Sequence, residues 1–396
     1  LDSGNGNDTL DGGAGNDTLR GGAGTDWASY GSATGGVTVN LGAGTSSGAA
    51  GNDSLTGIEI VLGGNGNDSI LGDSLANVLD GGNGNDSLDG GDGADMLDGG
   101  AGIDSLSGGA GADSLLGDAG DDRFDGGSGT DWLNFAAASL AVTVDLQNGS
   151  ATGFFGTDQV VSIEAVLGGS GDDSLRGGTG ANTLEGAAGA DQLDGGTNND
   201  SLSGGAGADT LLGDAGNDSL DGGSDKDWLS FTAATSAVTV DLQNGSATGF
   251  FGTDQVVSFE AVLGGNAADS LRGSSSNETL LGGNGADTLD GGAGADLLGG
   301  GAGNDLFFIT SSGDLVLELA DGGADTIITA VNITLPDHVE ALRIAEGVSG
   351  ITVTGGAGND MLIGNGMANT FNGGAGDDVI LTGNVTLADI YALFAI

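Results

Sequence analysis

Large apolar residues recur along most of this chain once every nine positions, and each is flanked by polar or small residues. Residues 81–131 read GGNGNDSLD GGDGADMLD GGAGIDSLS GGAGADSLL GDAGDDRFD GGSGTD, which has the form G-G-x-G-x-D-x-U-x, where U is a large apolar residue. Successive side chains of a strand point to opposite faces of its sheet. The last three residues of each repeat therefore predict a short strand whose middle residue points inward. In this stretch the inward positions are Leu88, Leu97, Leu106, Leu115 and Phe124.

The other six residues of each repeat, G-G-x-G-x-D, predict a tight turn. Glycine adopts positive φ readily and lets backbones approach closely, so such a turn is able to direct several carbonyl groups at a shared centre. The aspartate adds one carboxylate. Oxygen ligands of this kind suit a hard cation, and their flexible geometry favours calcium over magnesium. A flexible glycine-rich linker is the alternative, but a linker requires neither the fixed aspartate nor the fixed apolar residue.

The repeat predicts an all-β fold, a parallel β-roll or β-solenoid. Two nonapeptides make one coil with turns on opposite sides, and each turn stacks on the turn two repeats away with calcium between them. The repeats fall into five blocks, residues 1–26, 63–131, 168–227, 264–305 and 355–378. Three turns are degenerate, at residues 72–77, 273–278 and 364–369. Asn182 replaces the aspartate of one further turn, which keeps an oxygen ligand but loses a charge.

The candidate calcium ligands are the glycines at the first and fourth positions of the regular turns and the aspartate at the sixth position. Their number predicts on the order of 10–20 calcium ions. In the first two blocks they are Asp8, Gly12, Gly15, Asp17, Asp26, Gly63, Gly66, Asp68, Gly81, Gly84, Asp86, Gly90, Gly93, Asp95, Gly99, Gly102, Asp104, Gly108, Gly111, Asp113, Gly117, Gly120, Asp122 and Asp131. In the last three blocks they are Asp173, Asp191, Asp200, Gly204, Gly207, Asp209, Gly213, Gly216, Asp218, Asp227, Asp269, Asp287, Gly291, Gly294, Asp296, Gly300, Gly303, Asp305, Asp360 and Asp378.

Three inserts of 36 residues separate the first four blocks, at residues 27–62, 132–167 and 228–263. Each carries a V-T-V-x-L strand and closes on V-L-G-G. From Gly21 to Gly63 is 42 residues, which is not a multiple of nine, so the insert is a unit of its own. We expect about two wider coils that continue the stack, lack the turn aspartate and bind little or no calcium. Their aromatic residues are interpreted as core filling rather than a ligand patch; in the second insert they are Trp132, Phe135, Phe154 and Phe155.

The second and third inserts are near copies. Residues 141–169 and 237–265 differ at one position, Ile163 against Phe259, and lie 96 residues apart, whereas the first and second inserts lie 105 apart. The difference is one nonapeptide. The duplicated unit is therefore an insert together with its run of repeats. A fourth, different insert at residues 306–354 also has the alternation of solenoid strands.

The charge balance restricts the partners. Six Lys and Arg against 57 Asp and Glu give a net charge of −51, which excludes nucleic acid and argues against an anionic membrane surface. The chain has no Cys and no apolar run long enough to span a bilayer. It begins within a repeat and without a signal peptide, so we expect it to be the C-terminal part of a longer protein.

Catalytic motifs are scarce. The only histidine is His338, no HExxH motif is present, and Cys is absent, so a Ser-His-Asp triad could be drawn only at His338. Paired carboxylates abound, but calcium binding explains them better than catalysis. We therefore expect no enzyme activity from this chain, while an enzyme upstream of Leu1 stays open.

The nonapeptide resembles the repeat of the RTX (repeats-in-toxin), hemolysin-type family, and the resemblance covers nearly the whole chain. It implies a right-handed β-roll, a bacterial protein exported by type I secretion to the extracellular space or cell surface, and folding triggered by calcium. The C-terminal segment 379–396 ends in GNVTLADIYALFAI. This end is interpreted both as an apolar cap and as an uncleaved signal for the type I machinery, in which Asp389, Ile390, Tyr391 and Ala392 resemble the family's acidic-then-apolar ending.

Calcium-dependent folding also follows from the composition. Each nonapeptide buries about one Leu, and the free energy gained by this burial is smaller than the conformational entropy cost of ordering nine residues. The turn carboxylates also repel one another. A cation that binds only the folded chain supplies the difference. Two functions stay open: a structural subunit of a surface layer, sheath or filament that self-associates, or the secretion and folding module of a larger protease, lipase or adhesin.

Overall fold

The computed structural model describes residues 1–153, 156–249, 252–320 and 322–383. The chain divides into two compact units, Leu1–Gly207 and Ala208–Ile396. Among the described residues the regular secondary structure is β-strand, with no helix. Three sequence predictions fall outside the described residues: the packing of Phe154, that of Phe155, and the C-terminal segment from Asp389 to Ala392.

The first unit contains 24 strands of two to seven residues. They are β1 Asp2–Asn5, β2 Thr9–Leu10, β3 Thr18–Ala23, β4 Trp27–Ser29, β5 Val37–Asn40, β6 Thr45–Gly48, β7 Ser54–Thr56, β8 Ile60–Asn65, β9 Ser69–Leu71, β10 Val78–Asn83, β11 Ser87–Asp92, β12 Met96–Asp98, β13 Ser105–Gly111, β14 Ser114–Leu116, β15 Arg123–Gly129, β16 Trp132–Asn134, β17 Val142–Asp145, β18 Ser150–Gly153, β19 Gly156–Val161, β20 Ala165–Leu167, β21 Ser174–Arg176, β22 Thr183–Ala188, β23 Gln192–Asp194 and β24 Ser201–Ala206.

The second unit continues with strands of the same kind. They are β25 Thr210–Leu212, β26 Ser219–Ser224, β27 Trp228–Ser230, β28 Thr239–Asp241, β29 Ser246–Gly249, β30 Gly252–Val257, β31 Ala261–Leu263, β32 Ser270–Arg272, β33 Thr279–Asn284, β34 Thr288–Asp290, β35 Leu297–Ala302, β36 Leu306–Ile309, β37 Leu315–Leu317, β38 Thr326–Thr329, β39 Ile333–Thr334, β40 Ala341–Ile344, β41 Thr352–Thr354, β42 Met361–Ile363, β43 Thr370–Asn372 and β44 Val379–Leu381.

The nonapeptide runs form a parallel β-solenoid, as the period predicts. Strands β8 to β14 each pair in parallel with the strand 18 residues later, so that Leu88 stands beside Leu106 and Leu106 beside Phe124. The intervening repeats form a second ladder, in which Leu79 stands beside Leu97. These inward side chains are almost fully buried, whereas most of their strand neighbours are partly or fully exposed. The core is therefore a stack of single apolar residues, one from each repeat.

The inserts differ from the expected pair of wider coils. In the second insert, the two end strands β16 and β20 pair in parallel, so the insert ends form adjacent rungs of one sheet. Between them, β17, β18 and β19 form an antiparallel meander whose outer strands pair in parallel with β21 and β15. The insert is thus one coil with a hairpin excursion that adds two strands to one sheet. The first and third inserts have the same arrangement.

A four-residue turn at residues 146–149 connects the first two strands of the excursion. Gly149 has φ 68°, and the Asn-Gly pair that it forms with Asn148 joins β17 to β18. Asn-Gly is the strongest short-range hairpin signal. The fourth insert behaves as predicted, because β36, β38, β40 and β42 continue a parallel ladder of solenoid strands.

Candidate calcium sites

The tight stacking of the turns favours glycine at the second and fourth positions, although Ala187 and Asn198 adopt positive φ at these positions in other turns. In the turn at residues 81–86, Gly82 has φ 93° and Gly84 has φ 140°. A Cβ on either residue would also collide with a carbonyl oxygen of the preceding stacked turn, from Gly64 or Gly66 respectively. Glycine at these positions therefore satisfies both the left-handed backbone and the close stacking of turns.

The turn aspartates form a ladder along each side of the solenoid. Asp86 accepts a hydrogen bond at Oδ1 from the Asp68 amide at 2.7 Å, and Asp104 accepts one from the Asp86 amide at 2.7 Å. On the other side, Asp113 accepts from the Asp95 amide at 2.8 Å. One oxygen of each carboxylate therefore binds its turn to the turn 18 residues earlier.

The second oxygen of many of these aspartates is buried without a hydrogen-bond partner. Asp86 is only 3% exposed. An unpartnered anionic oxygen in a buried position is unfavourable unless a cation neutralises it. The aspartates with such an Oδ2 are Asp8, Asp26, Asp68, Asp86, Asp95, Asp104, Asp113 and Asp131 in the first unit and Asp227, Asp287, Asp296, Asp305 and Asp325 in the second.

Carbonyl oxygens face the same space as these carboxylates. A Cβ placed on Gly81 would lie 2.5 Å from Asp86 Oδ2 and 2.8 Å from the Gly99 carbonyl oxygen. A Cβ on Gly108 would lie 2.5 Å from Asp113 Oδ2 and 2.6 Å from the next stacked turn's carbonyl oxygen. The first glycine thus leaves a small space bordered by a carboxylate and a carbonyl oxygen of the next turn. This donor set fits calcium.

No group of three or more His, Cys, Asp or Glu that could hold a metal lies within the described parts of the chain. That finding agrees with a site that takes one carboxylate from a turn and completes its ligands with carbonyl oxygens. The glycines and aspartates predicted as ligands lie at these corners. Gly117 is an exception, because a Cβ there would collide with the buried Phe135 ring rather than face a turn carboxylate.

Burial perturbs the acidity of the turn carboxyls. Burial raises the pKa of Asp68, Asp95 and Asp104 to about 6, with a smaller contribution from neighbouring carboxylates. In the second unit the same causes raise the pKa of Asp287 and Asp296 to about 6. The hydrogen bond from the stacked amide opposes this shift but is the smaller effect. In the metal-free fold these groups favour their protonated form below about pH 6, and at neutral pH they are ionised at a free-energy cost that a bound cation would offset.

Three of the predicted ligands are arranged differently. Asp173 accepts from the Gly169 amide at Oδ2 (2.7 Å) and from the Val142 amide at Oδ1 (2.8 Å). Asp269 has the same pair of backbone donors in the second unit. Asp360 accepts at Oδ2 from the amide of Gly356, at 2.7 Å. In these turns the carboxylate is bound by its own backbone.

The expectation that the inserts lack a turn aspartate is wrong. Asp53 and Asp158 are buried and accept hydrogen bonds from the Asp17 and Asp122 amides at 2.9 and 3.0 Å, and Asp254 does so in the third insert. Glutamates close the opposite ladder, since Glu164 accepts from the Asp131 amide at 3.1 Å. The sequence does show an acidic residue two positions before an apolar strand residue in each insert. The inserts lack the full G-G-x-G pattern before that residue, so the motif does not identify it.

His338 has φ 66° and lies in a cleft bordered by residues 336–340 and 356–360. The cleft brings the side chain near Asp360, which the turn of the last block already binds through a backbone amide. The residues that border this cleft include no serine or cysteine that could serve as the nucleophile of a triad.

Parallel coils with a carboxylate and carbonyl oxygens at each regular corner define a β-solenoid built to hold cations. The RTX calcium-binding nonapeptide repeat (4 copies) matches residues 1–32, 62–97, 71–106, 98–133, 167–202, 194–229, 272–307 and 352–384. These segments cover more than half of the chain, which therefore belongs to this family, and its repeats are calcium-binding repeats. No curated protein matches the chain. Within the described ranges, no helix is long and apolar enough to cross a membrane.

When bound, calcium supplies the positive charge that neutralises the turn carboxylates. The chain's own residues do the rest. The unpartnered Oδ2 atoms and the carbonyls of the first glycines would hold the ion, while the Oδ1 hydrogen bonds keep consecutive turns in register.

Proposed function

We propose that this chain is part of an extracellular structural protein, a surface-layer, sheath or filament subunit that folds on binding calcium after type I export. The observation that carries the calcium-folded part is the row of buried, unpartnered turn carboxylates. Low calcium inside the cell leaves these groups repelling one another and the chain unfolded, whereas high external calcium folds it. RTX proteins are typically exported by type I secretion, and we assign the signal to the C-terminal segment.

An exposed apolar edge supports self-association. Leu315 and Leu317 of β37, with the following Leu319, are 65, 60 and 64% exposed. Among the described strands, β37 pairs with β35 and with no second neighbour. An unpaired apolar strand edge is a template for pairing with another chain. In a chain of net charge −51, the three exposed leucines form an apolar patch, and Glu318, which lies between Leu317 and Leu319, is only 8% exposed.

The proposal includes no catalytic activity for this chain. The calcium part is tested by substitution: Asp104→Ala and Asp113→Ala should each raise the calcium concentration at the folding midpoint. Asp337→Ala, on an exposed residue outside the nonapeptide turns, should leave it unchanged. Equal midpoints for all three variants would contradict the assignment of the turns.

The structural role is tested by assembly. Purified chain in millimolar calcium should form ordered sheets or fibres visible by electron microscopy, and Leu315→Ser together with Leu317→Ser should weaken assembly without changing the calcium midpoint. Chain in chelator is the control for calcium-independent aggregation. A folded chain that stays monomeric at all calcium and protein concentrations would contradict this role.

A further inference from the structure

Most of the six-residue turns fall into two conformational classes, and only the turns at residues 117–122 and 364–369 fall into neither. In the open class the second residue has positive φ, as at Gly82 (93°), Gly91 (100°) and Gly109 (102°). In the closed class the amide of the second residue donates to the side chain of the sixth. The closed pairs are Asp73 to Asn77 (2.8 Å), Gly169 to Asp173 (2.7 Å), Gly178 to Asn182 (2.8 Å), Gly265 to Asp269 (2.7 Å), Ser274 to Glu278 (3.2 Å) and Gly356 to Asp360 (2.7 Å).

The two classes present opposite charges to the turn centre. In the closed turn, an N–H group points at the carboxylate oxygen that lacks a partner in open turns such as residues 99–104. Asp173 and Asp269 each have both oxygens bound by backbone amides, so neither has an oxygen left without a partner. The amide already satisfies the oxygen that a cation satisfies in an open turn.

The sequence follows the same division. Closed turns end in Asn77, Asn182 or Glu278 as well as in aspartate, whereas the open turns with a positive φ at their second residue all end in aspartate. Three of the six closed turns carry a side chain at the fourth position (Leu75, Ala267 and Ser276), where most open turns have glycine; the other three closed turns have glycine there too. Because Asn77 and Asn182 carry no charge, the sixth position of a closed turn does not require the carboxylate that would neutralise a cation.

Closed turns also occupy particular places in the chain. Three of them, at residues 168–173, 264–269 and 355–360, are the first turns after the second, third and fourth inserts. Asp173 reaches back to β17 of the insert hairpin through the Val142 amide. This turn stacks on the backbone of the insert rather than on another six-residue turn. Its aspartate accepts hydrogen bonds from backbone amides at both oxygens.

We propose that the six closed turns bind no calcium through their sixth residue, and that calcium occupies the open turns only. Two of the closed turns, at residues 168–173 and 264–269, then join the hairpins of the second and third inserts to their calcium runs by hydrogen bonds. This inference rests on calcium binding by the repeats, which is part of the proposed function. It removes Asp173, Asp269 and Asp360 from the calcium ligands and divides the ions into separate runs.

The test counts calcium ions by native mass spectrometry on the full chain and measures the calcium midpoint by circular dichroism. Asp173→Asn and Asp269→Asn should each keep the ion count and move the midpoint less than about twofold, because Asn77 and Asn182 already serve in closed turns. The matched open-turn variants Asp104→Asn and Asp287→Asn should each lose at least one ion. A loss of ions in Asp173→Asn or Asp269→Asn equal to that in the open-turn variants would overturn the inference.

A variant that adds a carboxylate to a closed turn tests the inference independently of whether Asp173→Asn and Asp269→Asn fold. Asn182→Asp restores the family motif, yet the Gly178 amide still closes the turn, so the ion count should not rise. A gain of one ion in this variant would overturn the inference. Unchanged counts in Asp104→Asn and Asp287→Asn would instead overturn calcium binding by the turns, and with it the proposed function.

Discussion

Acidification should affect the stability of the metal-free fold and its affinity for calcium in opposite ways. Burial raises the pKa of Asp68, Asp95 and Asp104 from an ordinary 3.8 to about 6. At pH 7.5, holding one such group ionised in the metal-free fold costs about 3 kcal/mol relative to the unfolded chain. Because the folded state binds more protons than the unfolded state between these two pKa values, stability falls as pH rises from about 4 to 6.

In excess chelator, lowering the pH from 7.5 to 4 should therefore increase compaction. The affinity of the folded chain for calcium changes in the opposite sense, because calcium requires the ionised carboxylate. At pH 5 a group of pKa about 6 is ionised in roughly one molecule in ten, so the affinity of each site should fall on the order of tenfold.

The assay is a calcium titration followed by far-UV circular dichroism at pH 7.5, 6 and 5, with ionic strength held constant. Because the carboxyls of the unfolded chain, with an ordinary pKa of 3.8, stay ionised down to about pH 5, the folding midpoint should change little from pH 7.5 to 5, whereas the β signal before calcium is added should grow. A calcium-free signal that is the same at pH 7.5 and 5 would refute the account of turn carboxyls whose pKa is raised by burial.

Three substitutions test the packing. Gly84→Ala should raise the calcium midpoint severalfold, because its φ of 140° and a stacked carbonyl exclude a Cβ, whereas Gly180→Ala, with no atom within 4 Å of the added carbon, should not. Leu106→Ala removes a buried side chain and should lower the free energy of unfolding by about 2–5 kcal/mol, as measured by denaturant titration in the presence of calcium. Leu75→Ala, on a side chain that is 61% exposed, should have little effect. Arg176→Ala breaks exposed ion pairs of 3.2 and 3.9 Å with two aspartates, so its effect should stay below about 1 kcal/mol.

The regular coils could be predicted from the sequence because their contacts repeat with the period. Once two nonapeptides make a coil, Leu88 must stand beside Leu106 and Asp86 beside Asp104, as the structure shows. Local periodicity is sufficient here since each repeat contacts neighbours of the same form.

The hairpins inside the inserts could not be derived in the same way. Their outer strands pair over distances outside the period, as Val144 does with Leu175, and the antiparallel middle strand has no counterpart in a nonapeptide. The Asn148-Gly149 turn was a local signal for a hairpin, but it does not indicate which strands the hairpin joins.

The closed turns show a second limit. Residues 81–86 and 168–173 both read G-G-x-G-x-D, yet Gly82 adopts positive φ and Gly169 does not. In the closed turn the Ser170 amide also donates to the Ala138 carbonyl of the second insert. The motif therefore identifies candidate ligands but not the class of the turn, since residues 63–68 also follow an insert and yet Gly64 has φ 106°.

The most direct test of calcium-dependent folding is chelation of the full chain. Circular dichroism and small-angle scattering should show a compact, β-rich chain in millimolar calcium. Excess chelator should abolish the β signal and expand the chain, and calcium but not an equal concentration of magnesium should restore both. A chain that stays compact and β-rich in excess chelator at neutral pH would contradict the account.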